Sequence, residues 1–292
     1  VYKAITDKII ECMEKAPADF KMPWHIPEGL GFPTNAATHA EYRGINVLSL
    51  WLDAQMRGYS TQRWASYRQW QHLGAQVRKG ERGSLVVFYK RIETTSPEVG
   101  DHEEKTGLRH VARASYVFNA AQVDGFSEAE SDPLSRFERI QEVEAFVQAV
   151  GATIHHGHSI ARYRHDQDLI EMPDPDWFVT TDSSSAQESY YSVLLHELTH
   201  WSGGSARLNR QFGKRFGDET YAMEELVAEL GAAFMCSVFG ISSEPRADHA
   251  AYVASWLKVL NRDPKAIFNA ASKAQEAFEH LAYLATRSQP ST

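Results

Sequence analysis

The sequence predicts an α+β protein of two consecutive domains, and three observations carry that expectation. Strand-like runs and helical stripes alternate through the first 130 residues. The second part places its strands early and its helices late. Between them, residues 124–133 (DGFSEAESDP) are acidic and poor in apolar side chains, which puts the boundary there, with domains at 1–127 and 128–292. The chain has 292 residues, 43% of them hydrophobic and 23% charged, enough for a sizeable core. That composition excludes disordered, collagen-like and low-complexity classes.

The elements follow in order. Ile5, Ile9, Ile10 and Met13 form a helical stripe in residues 2–15, and the Pro- and Gly-rich stretch 17–35 reads as extended loop. Ile45, Leu48, Leu52 and Met56 mark a second helix that Gly58 stops. A short helix covers 66–73. Residues 84–89 (SLVVFY) predict a strand, 114–118 its partner, and the polar stretch 93–110 a mobile connection. In the second domain, helical periodicity covers 137–150. Strand-like pieces follow at 152–155, 160–163 and 169–172, then helices near 186–202, 219–239, 245–260 and 264–286. Asp263-Pro264 is an N-cap followed by proline at the first helical position.

The formal net charge is −8, which argues against nucleic acid if the charge is spread evenly. It is not. Residues 1–130 hold 16 basic and 16 acidic side chains, so the whole excess lies in 131–292. The window 57–91 carries eight cations and a single acid, Glu81. Two distant cysteines, Cys12 and Cys236, make no disulfide framework and fit a reducing compartment. Residues 1–15 do not read as a secretory signal, and no apolar run approaches the roughly 18 residues of a membrane span, so the expected location is cytoplasmic, with no membrane partner.

The sharpest chemical signal is His196-Glu197-Leu198-Thr199-His200. Residues four apart share a helix face, so both imidazoles can reach one metal, and Glu197 can project toward a water on it as general base. A catalytic zinc needs a third protein ligand and one open position. Glu225 and Glu229 sit four apart in an apolar stripe (Leu226, Val227, Leu230, Ala233, Phe234), where carboxylates need partners. Glu225 is the expected third ligand, and Glu229 is expected to hold the free ring nitrogen of a ligand histidine. Glu224 is expected to face solvent. The arrangement resembles the gluzincin pattern, with Glu225-x-x-Ala228-Glu229 on the second helix and glutamate where that pattern has a shorter acid. The other reading of these glutamates is an exposed helix face. The segment 168–173 is a strand expected at a sheet edge, ready to pair with an extended substrate; the alternative is a plain structural strand. Tyr163, Tyr190, Tyr191 and Tyr221 are candidate transition-state donors. His155, His156 and His158 read as surface residues.

Residues 42–91 interleave aromatic and basic side chains, the composition of a single-strand nucleic-acid binder that stacks bases along a positive groove. The aromatic candidates are Tyr59, Trp64 and Tyr67. The polar and cationic candidates are Arg43, Asn46, Arg63, Arg68, Arg78, Lys79, Arg82, Lys90 and Arg91. Trp51 and Trp70 are expected to be at least half buried. A solvated basic face is the other reading of the cations.

Both halves resemble the ArdC family of plasmid-borne antirestriction proteins. The resemblance rests on Pro33-Thr-Asn35, Tyr42-Arg-Gly-Ile-Asn46, Trp64-Ala-Ser-Tyr67 and Gly74-Ala-Gln-Val-Arg78-Lys-Gly-Glu81 in the first half. In the second it rests on His196-Glu-Leu-Thr-His200-Trp-Ser-Gly203 and Tyr221-Ala-Met-Glu-Glu225-Leu-Val-Ala-Glu229-Leu. It implies a small α+β single-stranded-DNA-binding domain followed by a zincin-like, gluzincin-type metallopeptidase domain. It also implies protection of incoming conjugative plasmid DNA from restriction. Zn²⁺ is the expected cofactor, with Mn²⁺ as an alternative, and a restriction-system component the expected protein substrate. Two rival functions are a DNA-binding protection protein with a non-catalytic metal site and a metallopeptidase with no DNA role. The first is separated by a Glu197 variant, the second by a strand-binding assay.

Overall fold

The computed structural model describes residues 1–15, 22, 24, 25, 31–95, 106–127, 134–213, 218–242 and 249–287, without the side chains of 90–95, 106–111 and 249–251. In chain order the elements of the first domain are α1 (Tyr2–Glu14), β1 (Thr34–Asn35), α2 (Ile45–Arg57), β2 (Arg63–Ala65), α3 (Tyr67–His72), β3 (Gln76–Val77), β4 (Ser84–Thr95), β5 (Thr106–Asn119) and β6 (Val123–Asp124). The expected stripe of α1 faces inward. Gly58 ends α2 in the left-handed conformation (φ 66°), which a side chain at this position would strain. Ser66 and Gln69 form the capping box that starts α3.

Four strands form a sheet in the order β1-β2-β5-β4, with β1 parallel to β2 and the other pairs antiparallel. β3 and β6 make a separate antiparallel pair. The β4–β5 ladder runs to Thr95 and Thr106, well beyond the expected 84–89 and 114–118. A ribbon held by its own backbone ladder tolerates polar side chains, so composition alone mistook this segment for loop. β4 ends the sheet. Its outer backbone groups are closed by α2: Asn46 Nδ2 donates to Val87 O (2.9 Å), Val87 N–H donates to Asn46 Oδ1 (2.7 Å), and Ser49 Oγ donates to Leu85 O (2.8 Å).

The second domain contains α4 (Arg136–Val150), β7 (Ile154–His155), β8 (Arg162–Arg164), β9 (Leu169–Glu171), α5 (Ala186–Ser202), α6 (Glu219–Phe239), α7 (His249–Arg262) and α8 (Ala266–Arg287). The small sheet has the order β7-β9-β8. β9 is therefore the middle strand, buried along its length, and cannot offer an edge to substrate as the sequence suggested. β7 and β8 flank it, and β8 stands at an edge instead. α6 is buried from Glu224 through Ser237 without a break and forms the central helix.

The two domains share one core. Ile5, Ile9, Trp51 and Leu52 from the first pack in the same cluster as Leu226, Phe234, Trp256 and Leu260 from the second. Phe234 lies edge-on to both Phe32 and Trp51, at 5.8 Å between ring centroids. Truncation of this ring removes contacts from both domains. Phe234→Ala is expected to cost about 3–5 kcal/mol of stability. Far-UV dichroism and tryptophan fluorescence should report the same shifted transition in denaturant. Two separated transitions would mean that the halves unfold independently.

Candidate metal centre

α5 begins at a Ser185–Glu188 capping box and is buried from Leu194 to Ser202. Its i, i+4 spacing brings the rings of His196 and His200 to 4.9 Å between centroids, at 76°. α6 crosses α5 so closely that a Cβ added at Gly231 would lie 2.5 Å from Thr199 Cγ2. That approach carries three α6 carboxylates to the two imidazoles. Glu225 faces both inner ring nitrogens: its Oε2 lies 3.5 Å from His196 Nε2, and its Oε1 lies 3.5 Å from His200 Nε2. One ligand atom from each of His196, His200 and Glu225 falls within 4.8 Å of the others, and all three residues are buried.

Each ring is held from behind. Glu229 Oε1 is 3.1 Å from His196 Nδ1, and Glu224 Oε1 is 3.2 Å from His200 Nδ1. The expected placement of Glu229 beside a histidine is thus observed. That of Glu224 is not: it is 5% exposed rather than solvated. Arg210 holds it, donating from Nε to Oε2 (3.1 Å) and from Nη2 to Oε1 (2.8 Å), while Nη1 donates to Ser202 Oγ (2.9 Å). The largely apolar run after Glu225, interrupted by Glu229, is the available signal, since a helix buried all round leaves no solvent face for Glu224.

The charges balance within the site. Burial pushes the His200 imidazolium toward neutrality, but Glu225 and Glu224 outweigh it and raise its pKa to about 10. Burial opposes ionisation of Glu225, yet His200 and His196 hold its carboxyl well below the usual carboxylate range. Burial likewise opposes Glu224, and His200 and Arg210 hold it low. The donor set of two imidazoles and a carboxylate suits a zinc- or manganese-class divalent ion.

Glu197 is buried, and it lines a cleft of about 630 Å³ together with His200 and Glu225. Tyr163, Phe178, Phe212, Tyr221 and Tyr252 make much of its wall. Of the candidate tyrosines, Tyr190 and Tyr191 do not line it, and the Tyr190 hydroxyl is hydrogen-bonded to His156 Nε2 (2.9 Å). The Tyr163 hydroxyl donates to Asp168 (2.7 Å). Tyr221 meets the Tyr252 hydroxyl at 3.4 Å. His155 and His156 are exposed, as expected. His165, which sequence reasoning passed over in a polar stretch, also lines the cleft, with its ring against Phe212.

The nucleic-acid candidates divide. Trp64 is 0% exposed and donates from Nε1 to Gln62, so it has no free face for a base. Asn46 is committed to the backbone of β4. Both are corrections, and in both the aromatic or polar side chain is needed inside the fold. Trp51 and Trp70 are buried, as expected. Arg78 donates to the carbonyls of Ala121 and Val123 and pairs with Glu81 and Asp124. Arg63 donates to Thr34 Oγ1 (2.6 Å), and Arg43 pairs with Glu279. Tyr59 is half-buried, edge-on to Trp64. Tyr67, Arg68, Lys79 and Arg82 are exposed. The side chains of Lys90 and Arg91 lie outside the described residues. Sequence reasoning missed Tyr116, which is 61% exposed, and Phe118, whose ring lies 6.4 Å from that of Tyr67. Both sit in a strand run that reads as core.

Residues 1–118 match the family described as the N-terminal domain of anti-restriction factor ArdC, and residues 141–273 match a zincin-like metallopeptidase family. The chain is 45% identical over 280 residues to protein y4eC of Sinorhizobium fredii, covering 94% of this chain and 89% of that one. It is 36% identical over 295 residues to the DNA primase TraC of Escherichia coli, covering 94% of this chain and 26% of that protein. The metal-free crystal structure of antirestriction protein ArdC from plasmid R388 matches with a TM-score of 0.79 at 36% identity, over 99% of each chain. Its Mn(II)-bound structure matches at 0.76 and 35%, again over 99% of each. Sequence, fold and domain order agree along the whole chain, which belongs to the ArdC antirestriction family.

Proposed function

We propose that this chain is a metal-dependent peptidase that binds single-stranded DNA, acting in the cytoplasm to protect incoming plasmid DNA by cleaving a protein of the restriction system. The observation that carries the peptidase half is the buried convergence of His196 Nε2, His200 Nε2 and Glu225 on one point. A divalent ion there supplies Lewis acidity and a water acidified toward neutral pH. His196, His200 and Glu225 hold it. Glu224 accepts from His200 Nδ1, and Glu229 faces His196 Nδ1, which favours the tautomers that leave each Nε2 free to ligate. Glu197 takes a proton from the attacking water and returns it to the leaving amine. The aromatic cleft takes an apolar substrate side chain, and the outer edge of β8 offers backbone groups to an extended peptide. Zn²⁺ fits the donors, and the Mn(II)-bound structure of a relative supports manganese as the alternative.

The DNA half is supported by an aromatic strip with cations beside it. Tyr67, Phe118 and Tyr116 follow one another on the outer surface, and Arg68, Lys79 and Arg82 are exposed with no ion pair among the described residues. Tyr67, Phe118 and Lys79 border an open concavity of about 560 Å³. Stacked bases and neutralised phosphates are what such a surface accepts.

Three outcomes test the reading. Glu197→Gln should retain bound metal but lose proteolysis of the target and protection of a plasmid transferred into a restricting host. Protection at the wild-type level would favour a non-catalytic, DNA-binding role. Second, metal uptake near pH 8 should release protons, because His200 is raised above its ordinary value and must become neutral to ligate. Affinity should therefore climb as pH rises toward about 10. Titration calorimetry in buffers of different ionisation enthalpy reads the proton count, and a count of zero contradicts the assignment. Third, Tyr67→Ala and Tyr116→Ala should each weaken binding of labelled oligothymidylate by about 1–3 kcal/mol. Lys79→Ala should reduce the salt slope by about 0.7. Wild-type binding that is absent or insensitive to salt rules out the DNA half.

A further inference from the structure

Behind Glu229 lies a histidine of the other domain. His25 is buried, with its side chain 2% exposed, and its Nε2 is 3.7 Å from Glu229 Oε2. The other oxygen of the same carboxylate, Oε1, is 3.1 Å from His196 Nδ1. The backbone N–H of Met22 donates to His25 Nδ1 at 2.9 Å. That bond fixes the tautomer: Nδ1 presents its lone pair, so the proton of the neutral ring sits on Nε2, toward Glu229. The neighbouring Trp24 is 0% exposed and lies edge-on to Trp256, 6.0 Å between centroids, which anchors the segment against α7.

We propose that His25 is a positioning residue of the metal centre, contributed by the N-terminal domain and acting through Glu229. A carboxylate free to rotate would share its two oxygens among several orientations. With His25 Nε2–H facing one oxygen, the other is kept for His196 Nδ1, and the His196 ring is held with Nε2 toward His200 and Glu225. Partners of this kind, one layer behind a metal ligand, affect metal affinity even though they never touch the ion. The proposal rests on the metal reading given above.

The experiment measures metal affinity of the full chain, stripped with chelator and titrated with Zn²⁺ or Mn²⁺ against a fluorescent indicator. His25→Asn keeps an acceptor for the Met22 N–H but is too short to face Glu229. His25→Gln places an amide N–H near the position of Nε2. The Asn variant should bind each ion about tenfold more weakly, and the Gln variant should stay close to wild type. In a Glu229→Gln background, His25→Asn should add no further loss, which separates action through Glu229 from general loosening. Far-UV dichroism checks that each variant is folded. The inference is overturned if His25→Asn binds metal like wild type, if Asn and Gln weaken binding equally, or if the Asn loss persists undiminished beside Glu229→Gln. A wild-type chain that binds neither ion instead removes the metal reading itself.

Discussion

With no side chain at Gly231, α6 settles against Thr199 of α5; a Cβ there would lie 2.5 Å from Thr199 Cγ2. The metal centre depends on that contact. Thr199 immediately precedes His200, and Gly231 lies half a turn beyond Glu229 on the facing helix. Only at such short range can glutamates on one helix span both nitrogens of imidazoles on the other. A wider crossing would leave two histidines and three glutamates buried, with their charges uncompensated, at several kcal/mol for each unpaired ion.

The same closeness explains how so many ionisable groups survive burial. Each opposes the next: Arg210 against Glu224, Glu224 against His200, His200 against Glu225, Glu225 against His196, His196 against Glu229. Without metal, a proton on the His200 ring satisfies two carboxylates at once. A divalent cation can replace protons in this lattice without moving any helix, because Glu225 and the two Nε2 atoms already face one point.

What could be read from the sequence was what helical periodicity determines. His196, His200, Glu225 and Glu229 are related by spacing within single helices, and their faces follow from 3.6 residues per turn. Residues whose role depends on a partner distant in the chain were not legible. Glu224 was assigned to solvent because its partner, Arg210, sits on an intervening loop. The edge expectation for β9 fails because strand order is a tertiary property that the mixed run Leu169-Ile-Glu-Met172 does not reveal. Trp64 and Asn46 fitted the composition of a nucleic-acid surface, yet the fold uses one as core and the other to close the edge of β4. Tyr116 and Phe118 escape sequence reasoning because the strand pattern of 114–118 does not show which side is open.

The shared core joins the proposed DNA surface to the candidate metal site. Glu229 and Phe234 lie on the same buried stretch of α6. Phe234 packs on Trp51 of α2, and α2 closes the edge of β4 through Asn46 and Ser49. β4 in turn pairs with β5, which carries Tyr116 and Phe118. Each step in this path is a packed contact, a strand ladder or a side chain–backbone hydrogen bond. A close-packed interior is poorly compressible, so a displacement at one end must be taken up by neighbours rather than absorbed in voids. The proposed strand-binding surface on the outer sheet and the candidate metal site between α5 and α6 therefore belong to one continuous body. A ligand at either site can influence the other only to the extent that it binds two arrangements of that body differently. The central helix carries the carboxylates and contributes residues to both large core clusters, so it is one element through which such a difference could act.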